Sequence, residues 1–246
     1  MTVLERFTDT PPITRENLRV APVTFDLYRE IHKGIRAELF GVTGQAGSLD
    51  PADEAGRVAL FGRVRALADL LESHAHHEDT IMQPSVEEYV PAVAEQVIAD
   101  HEVLDRRVYG LVALGEAVAD ASAATRRHEL HELYLGLAAF TGSYLQHIDV
   151  EERVIMPALE EAVGVEAVVG IHQAILSAIP PQDMAKSLAL MLPAMNVDGR
   201  TELLGGMRAG APAEVFEGVW SLAGSVLAPV DLAAVANRLG IEGVAR

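Results

Sequence analysis

Four long stretches of this chain carry an apolar residue every three or four positions, and this spacing constrains the fold more than any other feature. They cover about residues 24–43, 51–82, 91–118 and 122–156. The spacing places the apolar side chains on one face of an α-helix, which can pack against other helices. No alternating, β-rich segment occurs before residue 160, and Pro84 and Pro91 are predicted to bracket a short linker turn. The pattern predicts an all-α fold, an up-down-up-down four-helix bundle.

Six polar side chains interrupt these apolar faces: His32, His74, Glu78, His101, His147 and Glu151. Their neighbours three and four positions away are mostly aliphatic or aromatic, so the bundle should turn all six inwards. An unpartnered carboxylate or imidazole costs roughly a few kcal/mol there. A bound cation would satisfy the whole set. The alternative is a polar network without metal in which every member is hydrogen-bonded.

The sequence His-x-x-x-Glu occurs twice, at 74–78 and 147–151, and an acid directly follows each glutamate. One further histidine precedes each pair. Residues i and i+4 project from one helix face about one turn apart, so each His and Glu can bind the same ion. Four imidazoles and two carboxylates suit iron, and also manganese or zinc. Two such halves facing each other predict a site for two metal ions.

The composition excludes other kinds of site. The chain has no cysteine, which rules out disulfides, thiol nucleophiles and iron–sulfur clusters. Its formal net charge of −17 and the lack of Lys/Arg clusters disfavour nucleic-acid binding. No apolar run is long enough to span a membrane, and the first residues do not resemble a signal peptide. We therefore expect a cytoplasmic protein with no membrane or nucleic-acid partner.

The chain is predicted to have three parts. Residues 1–18 should be irregular and residues 19–163 should form the bundle. Residues 164–246 contain several prolines between short apolar stretches, which predicts an additional C-terminal helical segment of four or five short helices. This segment is either a small domain or a cover on the bundle, and a protein partner of it is possible.

The order His, His-x-x-x-Glu, His, His-x-x-x-Glu resembles the hemerythrin family, in its bacterial branch of HHE cation-binding domains, over about residues 20–160. The resemblance implies a four-helix bundle around a non-haem di-iron centre. It implies one iron ion on His32 and His74, the other on His101 and His147, and both bridged by Glu78 and Glu151 with an oxo or hydroxo group. No catalytic residue beyond these ligands is expected.

The chain also departs from the hemerythrins that carry oxygen. Those proteins have a second histidine on the third helix, four residues after the first, where this chain has Asp105. Their last helix pairs a histidine with an aspartate five positions later, whereas Glu151 follows His147 by four. One imidazole fewer leaves room for an extra ligand or for a residue that orients a ligand. The candidates are Tyr28, His77, Asp105 and Tyr109.

The resemblance implies a protein that reacts with or binds a small oxidant, namely dioxygen, hydrogen peroxide or nitric oxide, in defence against oxidative or nitrosative stress. Fewer imidazoles favour reactivity over simple reversible oxygen carriage. An oxidoreductase that consumes peroxide or nitric oxide is one form of this function. Two alternatives stay open: a di-iron redox or oxygen sensor that signals through the C-terminal helical segment, and an oxygen- or iron-binding protein without turnover.

Overall fold

The computed structural model describes residues 20–242, with only the backbone at position 96. The segment 1–18, predicted to be irregular, lies outside the described residues. Between residues 20 and 242 the chain forms helices joined by short turns and contains no β-strand, which confirms the all-α fold. The helices are α1 (Arg29–Ser48), α2 (Glu54–His77), α3 (Gln83–Tyr89), α4 (Pro91–Asp120), α5 (Arg126–Val150), α6 (Met156–Val163), α7 (Val165–Ala178), α8 (Pro181–Ala194), α9 (Val197–Gly210), α10 (Ala213–Val226) and α11 (Pro229–Leu239).

The four long helices α1, α2, α4 and α5 form the bundle. Each packs against the long helix that follows it, and α1 also packs against α5, which closes the bundle. The predicted apolar faces meet in one core, whose fully buried members include Ile35, Leu60, Leu133 and Phe140.

Two π-helical turns continue α2 and α5, and each begins at one of the two glutamates. They cover Glu78–Met82 and Glu151–Ile155. Single π turns within α-helices occur frequently at functional sites. α3 and α6 follow directly, with Pro84 and Pro157 in their first turns. The linker turn predicted between Pro84 and Pro91 is therefore wrong, because α3 occupies that stretch.

The predicted C-terminal helical segment is present as α7 to α11. α7 packs at one end of the bundle, where Val168 joins a buried cluster with Tyr28, Met82 and Met156. α8 to α11 have an apolar cluster of their own, and α8 also packs along α1. The domain boundary at residue 163 stays a prediction. Within residues 20–242 no helix has both the length and the apolar character needed to cross a membrane.

Candidate metal centre

The six polar side chains predicted to face inwards converge between the four bundle helices. α1 contributes His32, α2 contributes His74, α4 contributes His101 and α5 contributes His147, while Glu78 and Glu151 open the two π turns. Five of these residues are buried, and the His74 side chain is 11% exposed. The bundle therefore brings together side chains that are up to 119 positions apart in the sequence (from 32 to 151).

The histidines form two pairs. The Nε2 atoms of His32 and His74 lie 3.1 Å apart, and the ring centroids of His101 and His147 lie 4.7 Å apart. Glu78 completes a group with His32 and His74 in which one ligand atom from each residue lies within 4.8 Å of the others. The same limit holds for a second group, which consists of Glu78, His101, His147 and Glu151. Each group is compact enough to surround one ion.

Each glutamate carboxylate contacts both histidine pairs. Oε1 of Glu78 lies 3.1 Å from Nε2 of His74, and Oε2 lies 3.4 Å from Nε2 of His101. Oε1 of Glu151 lies 3.2 Å from Nε2 of His147, and Oε2 lies 3.6 Å from Nε2 of His32. Each carboxylate therefore presents one oxygen to each side of the cluster.

The cluster does not satisfy itself by hydrogen bonding. Six buried polar atoms lack a hydrogen-bond partner among the described residues: both oxygens of Glu78 and of Glu151, Nε2 of His101 and Nδ1 of His147. Five of them make the contacts given above, at distances that suit charge attraction but not with hydrogen-bond geometry. Each unsatisfied group costs roughly 1–3 kcal/mol. Imidazole nitrogens and carboxylate oxygens around a shared centre fit a metal ion, which would satisfy these atoms together.

The electrostatics favour positive charge in the cluster. Burial lowers the pKa of His101, but contacts with Asp79, Glu151 and Glu78 outweigh it and raise this pKa to about 12. Burial raises the pKa of Glu151, but His101 and His147 outweigh it and hold this pKa below its usual range. Burial and the two glutamate charges also raise the pKa of Tyr28 well above 10, which keeps its hydroxyl protonated. A cation-binding site needs carboxylates that stay ionised and surroundings that stabilise positive charge.

Two further carboxylates reach the histidines from outside the cluster. Oδ1 of Asp79 lies 2.7 Å from Nδ1 of His101, and Oε1 of Glu152 lies 3.0 Å from Nδ1 of His32. Arg36 donates to both oxygens of Glu152, at 2.6 and 2.8 Å. The sequence contained a signal for both, since an acid directly follows each glutamate, but sequence reasoning assigned them no role.

Two of the four further candidates lie beside the cluster. Tyr28 is buried and stacks on the ring of His32, with centroids 4.9 Å apart. Asp105 lines a small cavity of about 10 Å³ together with His101, Tyr144 and apolar side chains. Both therefore stay candidates for an extra ligand or for a residue that orients a ligand.

The other two candidates lie outside the cluster. The ring of His77 is partly exposed and contacts the ring of His76. Tyr109 is 57% exposed, and its hydroxyl donates to Glu72 at 3.2 Å. Eight residues of α-helix make about 2.2 turns, so Tyr109 points roughly 80° away from His101. The apolar face that contains His101 therefore continues through Val108.

A four-helix bundle that encloses four imidazoles and two carboxylates defines the class of bundle metalloproteins. The chain belongs to the hemerythrin family: the family model described as the hemerythrin HHE cation binding domain matches residues 23–179. This match confirms the resemblance seen in the sequence and extends through α7. Neither a curated protein nor a solved structure matches the chain. Since the family binds cations, the chain is a metal-binding protein.

Proposed function

We propose that this chain is a non-haem di-iron protein that reacts with or binds dioxygen, hydrogen peroxide or nitric oxide in defence against oxidative or nitrosative stress. One observation carries the proposal: the buried oxygens of Glu78 and Glu151 lack hydrogen-bond partners within residues 20–242 and contact both histidine pairs. Hemerythrin-like domains bind small ligands such as oxygen at a metal site. Manganese or zinc suits the same donor atoms, and iron is the metal we propose.

In this proposal one ion is held by His32 and His74, the other by His101 and His147, and both by Glu78 and Glu151. The oxo or hydroxo bridge remains a prediction. When bound, iron supplies electron transfer to and from small oxidants. The bundle supplies the ligand positions and a dry surrounding, because the residues that flank the cluster, such as Ile148 and Leu71, are almost completely buried.

The small cavity beside His101 supports a ligand of only a few atoms. Its walls include Leu71, Leu104 and Phe140, and its volume of about 10 Å³ is close to that of one water-sized sphere. Apolar walls favour an uncharged diatomic molecule or peroxide over a charged metabolite. Asp105 is the one carboxylic acid among the residues lining this cavity, and burial raises the pKa of Asp105.

Metal analysis and the ultraviolet–visible spectrum of the purified full chain test the proposal. We expect about two iron ions per chain, and loss of iron in Glu151→Gln but not in Glu161→Gln, which changes an exposed carboxylate outside the cluster. Mixing the reduced protein with oxygen should give a reversible charge-transfer band in a carrier. Repeated turnover of peroxide or nitric oxide would identify an enzyme. A chain that binds no redox metal would contradict the proposal.

The packing of α8 on α1 favours the sensor as a second candidate function. Gly34 on α1, two residues after His32, leaves room for Leu190 of α8: a Cβ atom at Gly34 would lie 3.1 Å from Cγ of Leu190. A displacement of His32 would therefore be passed to the C-terminal helices through the contact between α1 and α8. Hydrogen exchange of α8 to α11 should differ between the oxidised and reduced protein if the chain is a sensor. Equal exchange would rule it out.

A further inference from the structure

We infer that Asp79 and Glu152 are positioning residues that orient the histidine ligands crosswise, each acid holding the lone histidine of the opposite half of the chain. Asp79 follows Glu78 of the first half but contacts His101 of the second. Glu152 follows Glu151 of the second half but contacts His32 of the first. The inference rests on the proposed metal centre.

The contact between Asp79 and His101 determines which imidazole nitrogen faces the cluster. A neutral imidazole has one N–H donor and one nitrogen acceptor. A metal ion displaces one proton from the imidazolium on binding, and because Nδ1–H donates to Asp79 over 2.7 Å, the lone pair then forms on Nε2. This Nε2 lies 3.4 Å from Glu78 and has no hydrogen-bond partner among the described side chains. The carboxylate therefore selects the tautomer in which the nitrogen facing the cluster can bind an ion.

The contact between Glu152 and His32 repeats this arrangement on the other side. Nδ1 of His32 lies 3.0 Å from Oε1 of Glu152, and Nε2 points to His74 and Glu151. Here the carboxylate is itself held by Arg36 through two hydrogen bonds. The Glu152 side chain is 23% exposed, compared with 43% for Asp79. Glu152 is thus the more firmly held of the two acids.

Helix geometry explains the crosswise contacts. Consecutive helical residues point in different directions about the helix axis, so the residue after an inward-facing glutamate is turned towards the adjacent helix. α2 packs against α4, which carries His101, and α5 packs against α1, which carries His32. Each histidine pair therefore depends on an acid from the half that it does not belong to. His147 lacks such a contact, since Oδ2 of Asp100 lies 3.8 Å from its Nδ1.

Affinity measurements on the full chain test the inference. Ferrous iron would be titrated without oxygen against a competing chelator. Asp79→Ala and Glu152→Ala should each weaken binding of one ion about 10–100-fold. Asp79→Asn should recover most of the affinity, because its amide oxygen still accepts from Nδ1–H. Glu102→Gln is the matched control, because Glu102 is exposed, adjacent to His101 and paired only loosely with Arg106, at 3.8 Å.

Histidine nitrogen NMR of the zinc-loaded chain provides a readout that a purely structural role would not change. Asp79→Ala should lose the hydrogen-bonded Nδ1–H signal of His101 and leave that of His32 in place. Glu152→Ala should do the reverse. Unchanged affinity and unchanged Nδ1–H signals in both variants would overturn the inference. A wild-type chain that binds no metal would instead overturn the proposed function, and the inference with it.

Discussion

Oε2 of Glu78 lies 3.4 Å from Nε2 of His101, across the contact between α2 and α4. The other oxygen of the same carboxylate lies 3.1 Å from His74, one helical turn earlier in the chain. Both oxygens are buried and lack a hydrogen-bond partner in the part of the chain that the structure describes. A metal ion bound by these groups would link α2 to α4. Because such a site exists only in the folded chain, metal binding should stabilise the fold.

Replacing either glutamate should therefore reduce both metal content and stability. We expect Glu78→Ala and Glu151→Ala to lose iron and to have a lower melting temperature as isolated. A ligand at 100 times its dissociation constant adds about 2.7 kcal/mol, and this contribution would be absent from the variants. Elemental analysis and calorimetry provide the measurements. Chelator treatment of the wild type should lower its melting temperature too. Unchanged iron in either variant would refute the bridging role.

The ion pair of Glu152 predicts a dependence on pH in the metal-free chain. Burial raises the pKa of Glu152, but His32 and Arg36 outweigh it and lower this pKa to about 2, from an ordinary value of 4.5. A lowered folded-state pKa contributes stability above pH 4.5, and this contribution is lost as the pH falls towards 2. Glu152→Gln should therefore cost about 2 kcal/mol at pH 7 and much less at pH 2.5.

Denaturant unfolding of metal-free wild type and Glu152→Gln at several pH values measures this difference. Asp149→Asn is a suitable control, since Asp149 is exposed and pairs with Arg153 outside the cluster. An equal stability loss for Glu152→Gln at pH 7 and pH 2.5 would show that the charge of Glu152 does not stabilise the fold.

Arg57 should stabilise the bundle independently of the metal. It is 4% exposed and donates to the backbone oxygens of Pro51, in the turn between α1 and α2, and of Val118 and Ala121, at the C-terminal end of α4. Arg57→Ala would leave these oxygens without that donor and should cost about 3 kcal/mol or more. Denaturant unfolding measures this loss.

Arg65 is exposed and lies over the ring of Phe61. Comparing Arg57→Ala with Arg65→Ala therefore distinguishes the loss of the hydrogen bonds from the loss of a positive charge. Arg65→Ala should change stability by no more than about 0.5 kcal/mol. Metal stoichiometry should stay at the wild-type value in both variants, because neither arginine contacts the cluster. Loss of metal from the folded Arg57→Ala variant would show that Arg57 also affects the metal centre.

Gly34 permits the close packing of α8 on α1. A Cβ atom there would lie 3.1 Å from Leu190, so Gly34→Leu should push the helices apart and destabilise the protein. Gly142→Leu is the matched control, because no atom of the described residues outside its own helix lies within 4 Å of a Cβ there, and it should gain about 0.8 kcal/mol from helix propensity. Hydrogen exchange over 181–194 should rise only in Gly34→Leu. Equal exchange in the two variants would argue against the contact.

Helical periodicity predicted the long helices and the inward direction of all six polar side chains, because a repeat of 3.6 residues is a local property of the chain. It failed at Pro84, where a preceding π turn lets the chain remain helical. It also failed to separate Asp105, at the cavity, from Tyr109, at the surface, since the face of a long helix drifts over two turns. The π turn depends on how neighbouring helices constrain the chain, which a single sequence does not show, whereas the offset of Tyr109 by roughly 80° follows from the helical repeat itself.

The sequence by itself determined the helices, the donor types and the absence of thiol chemistry, and with them the family. Only the tertiary structure decided which acid holds which histidine. Asp79 and Glu152 stand beside Glu78 and Glu151 in the sequence, but their contacts, His101 and His32, lie on the adjacent helices. These pairings depend on which helices are neighbours and on how each is rotated about its axis. The packing of the whole core sets that rotation, and no local pattern records it.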